Sequence, residues 1–433
     1  MATGLGLRAI LAIAAGRITR RAVLLLRPGG ATAIPGHVVE RIDPSLLGRI
    51  LAQPRVVAVS GSSGKGTTTK MIVAILEAHG VELFTNKYAG NITRGMLSEL
   101  LRVVDWRGRF PHEYAVMEMD EAYGALAAEA AGAEVTVLLN VMVDQLHRWQ
   151  EPDRVAWYLE RMARATTGAI VVNRDDPQLR RVAARVTGAD AAELRFFSVA
   201  PEIAAGFPHG LGSAPAYGPE GELPTGRGES RVVAFEQDAA SIQLSDAATV
   251  AVRLPSSGIH LAVDSAAALE AARAVLGDRF DAELAARALS EAPAVFARGE
   301  TARVRGEVAR FALMKSPMTM QLNIDALDTE VEQLAIIAGT DVPDPSMLWA
   351  VDWSALRRVD VVGGRQAAEL AARLAYDGVE VGHVEEDVET SIDAFFALPA
   401  PAHGVKNVLF TAEGMRRTRR HLKLYEADTE KLA

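Results

Sequence analysis

The sequence predicts an α/β protein. A doubly wound phosphate-loop domain with a small β insertion comes first, and a second, Rossmann-like α/β domain follows. Three observations carry this. Strand-like and helix-like segments alternate between residues 54 and 175. A glycine-rich loop stands between the first strand and the first helix of that series. A second alternating series begins at Arg303.

The first strand, 55–60, is an apolar run, and the helix after it, 67–79, carries Ile72, Val73, Ile75 and Leu76. Between them lies Gly61-Ser62-Ser63-Gly64-Lys65-Gly66-Thr67-Thr68. Strand, glycine turn, Lys-Gly-Thr and helix is the order a phosphate-binding loop needs. The glycines let backbone N–H groups approach phosphate oxygens, and the helix N-terminus adds a favourable field. Lys65 is placed for the outer phosphates, and a threonine hydroxyl for Mg²⁺. The loop departs twice from GxxxxGK[ST]: Val59 stands at the first glycine position, and Gly66 follows the lysine, so Thr67 or Thr68 supplies the hydroxyl.

Further strands are expected at 81–84, 114–118, 135–140 and 169–173, with helices at 97–103, 122–131 and 155–165. Ligands of such sheets bind at the carboxyl ends of the strands, where polar residues collect here. Glu118, followed by Asp120 and Glu121, is placed for Mg²⁺ or for capping the next helix. Asn86, Gly90, Asn91 and Gly95 form a second polar turn. Asn140, Asp144, Gln145 and His147 follow the fourth strand, His147 being either a catalytic group or a structural histidine. Asn173, Asp175 and Asp176 follow the fifth, and they either hold the base or ribose of a nucleotide or turn the chain.

Residues 206–228 hold seven glycines and four prolines and read as a loop. Short alternating segments follow at 231–235, 241–244 and 249–254, then helices at 262–276 and 282–290. Beyond the boundary expected near 298–305, strands fall at 335–339, 359–362, 379–381 and 407–410. The division is therefore 1–302, with a helix over 1–28 and the insertion at about 204–255, and 303–433.

Composition narrows the function. The net charge of −9 argues against binding nucleic acid, which needs a basic surface. The absence of cysteine excludes disulfides, thiolate zinc ligands and thiol nucleophiles. The apolar run 5–15 is too short to span a bilayer and precedes its arginines, the reverse of a signal peptide. Two readings remain for it: a helix docked on the domain, or a basic helix lying on an anionic membrane surface.

The motifs together resemble the Mur ligase family, and within it the MurT type of synthetase subunit. The resemblance rests on Gly29-Gly30-Ala31-Thr32-Ala33-Ile34-Pro35-Gly36, on the loop, and on Asn86 to Gly95. It continues through Glu118-Met119-Asp120-Glu121, Asp144-Gln145-Leu146-His147-Arg148 and Asn173-Arg174-Asp175-Asp176-Pro177. It ends with Phe296-Ala297-Arg298-Gly299-Glu300, Lys315-Ser316-Pro317 and the run from Asp344 to Asp352. It implies that Gly61 to Thr68, Asn91, Asn140, Asn173, Asp175, Asp176 and Arg298 contact ATP, that Thr67 and Glu118 hold Mg²⁺, and that Lys65, Glu118 and His147 serve the chemistry. It further implies a cytoplasmic enzyme that activates the D-isoglutamate α-carboxylate of lipid II as an acyl phosphate. Ammonia would come from a GatD-type glutaminase partner, whose Cys-His pair is completed by Asp352 or Asp344, with Asp352 preferred. The sequence departs from that type in lacking a four-cysteine zinc ribbon, so no zinc is expected, and in carrying Gly-Lys-Gly-Thr in the loop, as folylpolyglutamate synthetases do. Two other readings stand beside it: a Mur-type ligase diverged to another carboxylate and amine, and a non-catalytic nucleotide-binding scaffold.

Overall fold

The computed structural model describes residues 6–26, 33–86, 90–143, 146–187, 192–207, 210–217, 222–236, 238–254, 258–292, 298–314, 316–327, 331–340 and 346–424. Its first sheet has nine strands: β1 (Arg55–Ser60), β2 (Leu83–Thr85), β3 (Tyr114–Glu118), β4 (Ala133–Leu138), β5 (Thr166–Asn173), β6 (Glu193–Val199), β7 (Gly228–Glu236), β8 (Ala239–Gln243) and β9 (Thr249–Arg253). Their order is β2-β3-β1-β4-β5-β6-β7-β8-β9. Pairing is parallel from β2 to β7 and antiparallel from β7 to β9.

Helices cover both faces, so the central strands are apolar on both sides and read as continuous runs. In β1, Val56 and Ala58 enter one core while Val57 and Val59 enter the other. The second core is closed by the helices Lys65–Ala78, Ile259–Leu276 and Ala282–Glu291. The helix Leu7–Leu26 docks on the first core through Ala9, Ala12 and Ile13. The three segments read as an insertion continue the same sheet, because β7 pairs parallel to β6 before the chain doubles back.

The second sheet holds β10 (Arg298–Val304), β11 (Glu307–Leu313), β12 (Leu334–Ile337), β13 (Arg358–Gly363), β14 (Glu380–Glu385) and β15 (Lys406–Phe410), in the order β10-β11-β15-β12-β13-β14. Only β10 with β11 is antiparallel. Leu334 and Ile336 face one core, Ala335 and Ile337 the other, which gives this sheet the same two-sided burial. Strands β12, β13, β14 and β15 stand where the sequence placed them. The hairpin β10–β11 went unread, since its first strand alternates polar and small residues at a sheet edge.

Candidate active site

Gly61 and Gly64 both have positive φ, +138° and +85°. These values turn the chain out of β1 and into the helix Lys65–Ala78 at little steric cost. At Gly64 a side chain is also excluded by space, since a Cβ would lie 2.6 Å from Asp264 Oδ1. Asn140, at the end of β4, clamps the loop. Its Oδ1 accepts from the Ser63 N–H at 2.9 Å, its Nδ2 donates to the Ser63 carbonyl at 3.2 Å, and its own carbonyl accepts from the Ser62 N–H at 3.0 Å. Ser62 Oγ accepts from the Met142 N–H at 3.0 Å. Asn140 and Ser62 thus act as braces on the loop.

Lys65 is nearly buried. Its ammonium donates to Glu121 Oε1 at 2.8 Å and to the carbonyls of Gly61 and Ser62. Burial alone would lower its pKa, but the attraction of Glu121, with Glu118 and Asp120 behind it, outweighs this and holds the lysine above its ordinary value. The carboxylate on Lys65 is Glu121, the first residue of the helix Glu121–Ala131, while Glu118, which the sequence placed for Mg²⁺, ends β3. Glu118 lies against the start of the same helix, where a Cβ at Gly66 would meet its Oε2 at 3.0 Å. That proximity gives the glycine after Lys65 a local reason. Asn91 donates to Glu118 Oε1 at 3.3 Å, and Asn86 bonds both the N–H and the carbonyl of Glu118 at 2.9 and 2.8 Å.

Asp120 caps the helix Glu121–Ala131 and takes a two-pronged bond from Arg148 at 2.5 and 2.6 Å. The guanidinium also lies 4.0 Å from the Trp149 ring centroid. Thr67, Thr68 and Thr69 are all buried, and the Thr68 and Thr69 hydroxyls have no hydrogen-bond partner among the described residues. A phosphate-bearing ligand and a cation fit these residues. The loop supplies helix-terminal N–H groups and a fixed positive charge, and Glu118 with a threonine hydroxyl supplies the small oxygen set that Mg²⁺ takes alongside water.

An open cleft lies beside the loop. Ser63, Gly64, Asn140, Asn173 and Asp175 line one side, and Leu313, Thr319 and Asn323 from the second sheet's side line the other. His260 and Asp264 of the helix Ile259–Leu276 also line it. Sequence reasoning missed both. The readable signal was a pair of polar residues one turn apart in the first two turns of a mostly apolar helix, just after Gly258.

The residues after β5 divide. Asn173 and Asp175 line the cleft, though the Asn173 amide is engaged by the Leu139 carbonyl and the Asp175 N–H at 3.0 and 2.9 Å. Burial raises the Asp175 pKa, against the Val199 N–H it accepts at 2.7 Å. Asp176 is fully buried away from the cleft. It caps the helix Pro177–Arg185 through the Leu179 N–H at 2.9 Å and pins Val141 at 2.8 Å. Burial pushes its pKa up to about 6. Of the two alternatives for this segment, Asp176 takes the chain-turning one.

Asp352 is outside the cleft, exposed in the turn between the helix Ser346–Trp349 and β13. Its Oδ1 accepts from the N–H and hydroxyl of Ser354 at 3.0 and 2.6 Å. Gly29 to Thr32, Asp144, Gln145, Phe296, Ala297, Lys315 and Asp344 lie outside the described residues, as do the side chains of His147 and Arg298. The backbone of His147 belongs to the helix Leu146–Trp149, and Arg298 opens β10.

A phosphate loop at the strand ends of a doubly wound sheet, facing a second α/β unit across a cleft, defines a nucleotide-binding fold of two parts. Residues 59–205 match the family model of the Mur ligase middle domain. The architecture is that of the Mur ligases: MurF from Thermotoga maritima in complex with ADP superposes with a TM-score of 0.63 at 19% identity, over 92% of this chain and 85% of that one. Among curated proteins, the MurT subunit of lipid II isoglutaminyl synthase from Streptococcus pneumoniae is 26% identical over 174 residues, 40% of this chain. That match spans only 38% of the relative's length. The UDP-N-acetylmuramoylalanine–D-glutamate ligase of Burkholderia cenocepacia is 26% identical over 370 residues, 82% of this chain and 69% of that protein.

Proposed function

We propose that the chain is an ATP-dependent ligase of the Mur type that makes amide bonds through an acyl phosphate. The observation that carries this reading is Lys65, held charged at the head of the loop by Glu121 with Glu118 beside it. A carboxylate is a poor electrophile because it would have to expel oxide, and phosphorylation supplies a viable leaving group. Catalysis of phosphoryl transfer is largely positioning and charge stabilisation. Lys65 and the loop N–H groups supply both, and Glu121 keeps the lysine protonated. Glu118 and the Thr67 hydroxyl would hold Mg²⁺, which offsets phosphate charge when bound. Ser63, Gly64, His260 and Asp264, which line the cleft, would receive the rest of the nucleotide.

The finer reading is a MurT-type synthetase, which converts the D-isoglutamate α-carboxylate of lipid II to its amide with ammonia from a GatD-type glutaminase. It is supported by the similarity to the pneumococcal MurT subunit. The lack of any cysteine also fits, because a glutaminase of that kind uses a thiolate and this chain has none to offer. The longer match to the D-glutamate ligase favours a second reading, a Mur-type ligase joining another carboxylate to another amine.

ATP hydrolysis by the purified chain with ammonium chloride, with and without lipid II, separates them. Phosphate release that requires lipid II, with a product in which one hydroxyl has become an amide NH₂, establishes the amidating synthetase. Turnover indifferent to lipid II favours the second reading. No ATP turnover with any carboxylate and amine offered would overturn both.

A further inference from the structure

The helix Leu7–Leu26 has two unlike faces. Ala9, Ala12, Ile13 and Gly16 are buried against the first core, so closely that a Cβ on Gly16 would meet Val39 Cγ2 at 2.5 Å. On the opposite face Leu7, Leu11, Ile18 and Leu25 are 73, 57, 67 and 84% exposed. At 3.6 residues per turn these four fall within about 40° of one another, a single stripe along the helix. A stripe of large apolar side chains left in water needs a partner.

Charge says which partner. The helix carries Arg8, Arg17, Arg20 and Arg21 and no acidic residue, in a chain whose net charge is −9. Arg8 and Arg17 tie the helix down, donating to the carbonyls of Ile42, Leu101 and Val104. Arg21 is exposed beside the stripe. The Arg17 guanidinium also lies 4.6 Å over the ring of Trp106, an exposed indole next to the exposed Arg107. Leucine and isoleucine rimmed by arginine and tryptophan is the pattern of a helix lying in a lipid interface. Pairing with a second copy would bring arginines against arginines with no carboxylate on the helix to offset them. Among the described residues no helix is long and apolar enough to cross a membrane, so contact from one side is the form available.

We infer that this face of the helix Leu7–Leu26, with Trp106 at its rim, seats the protein on an anionic phospholipid surface. The inference stands apart from which carboxylate the ligase activates. The test is co-sedimentation of the full chain with vesicles of phosphatidylcholine alone and of equal parts phosphatidylcholine and phosphatidylglycerol. The wild type is expected to pellet with the mixed vesicles, far less with the neutral ones, and less again at high salt. Leu11→Glu with Ile18→Glu should cut binding at least about tenfold. Melting temperature and oligomeric state should not change, because both side chains face water. Arg21→Glu with Arg107→Glu, both exposed, should remove the preference for anionic lipid. Wild-type protein that stays in the supernatant, or a Leu11→Glu/Ile18→Glu variant that binds as well as wild type, would overturn the inference. So would a wild-type dimer that the variant converts to monomer without any vesicle binding, which would assign the stripe to a second copy.

Discussion

Lys65 meets a carboxylate and two carbonyls in the same small volume, so removing it has two separable effects. Lys65→Ala deletes the loop's fixed cation and should lower ATP turnover by roughly 10³-fold, about 4 kcal/mol of lost charge stabilisation. It also leaves Glu121 buried without its counter-charge, at a cost to stability of about 3–5 kcal/mol. Adding Glu121→Gln should return most of the stability and none of the turnover. Thermal melting and steady-state phosphate release on the two variants check this, and near-wild-type turnover in Lys65→Ala would remove the loop from the mechanism. Gly64 offers a second test. Gly64→Ala places a side chain at positive φ, worth about 1–2 kcal/mol of strain, and drives it into Asp264. Asp264→Ala should relieve the contact and leave the strain, so the two substitutions together should cost less than their sum in a double-mutant cycle.

At the scale of elements, the carboxyl ends of β4 and β5 are tied together by one buried acid. Asp176 accepts from Val141 after β4 and caps the helix after β5. Burial raises its pKa from 3.8 to about 6, so the folded chain holds this proton to higher pH than the unfolded chain does. That contribution is full below the unfolded value and is lost as pH rises through 6, so stability attributable to Asp176 falls across this window, by ~3 kcal/mol. Asp176→Asn removes the titration. Unfolding free energy measured from pH 4 to 7 should lose this downward trend in the variant, and the slope, not the offset, is the readout. An unchanged slope would mean that some other group titrates there. This tether also shows the limits of what the sequence disclosed. The strands β1, β3 and β4 and the loop were legible because apolar runs, glycines and Lys65 are local signals. Asp176 as a cap, and Asn140 as a clamp across 77 residues, depend on which strand lies beside which. His260 was legible in principle, but a helix start read at 262 left it outside, and Asp264, inside the helix as read, could be placed beside the loop only once the fold brought that helix against Gly64. The edge strand β10 gave no apolar run to read.

At the scale of the molecule, the cleft joins the two sheets while Asp352 stands outside it, exposed on the second unit. Its backbone is fixed on both sides by Gln321, whose side chain accepts from the Asp352 N–H at 2.8 Å and donates to its carbonyl at 3.3 Å. The carboxylate is thus a charge on a rigid turn, and Asn at this position keeps an oxygen for Ser354. Asp352→Asn should therefore change stability by less than about 1 kcal/mol. If the chain works with a glutaminase that borrows this carboxylate, the variant keeps ATP turnover with ammonium chloride and loses it with glutamine, because only the partner's chemistry has lost a group. The two nitrogen sources assayed side by side give the answer. Equal loss with both would assign Asp352 to the synthetase or the fold. Turnover with an amine but never with glutamine, in wild type and variant alike, would move the chain to the second ligase reading and leave Asp352 a turn residue.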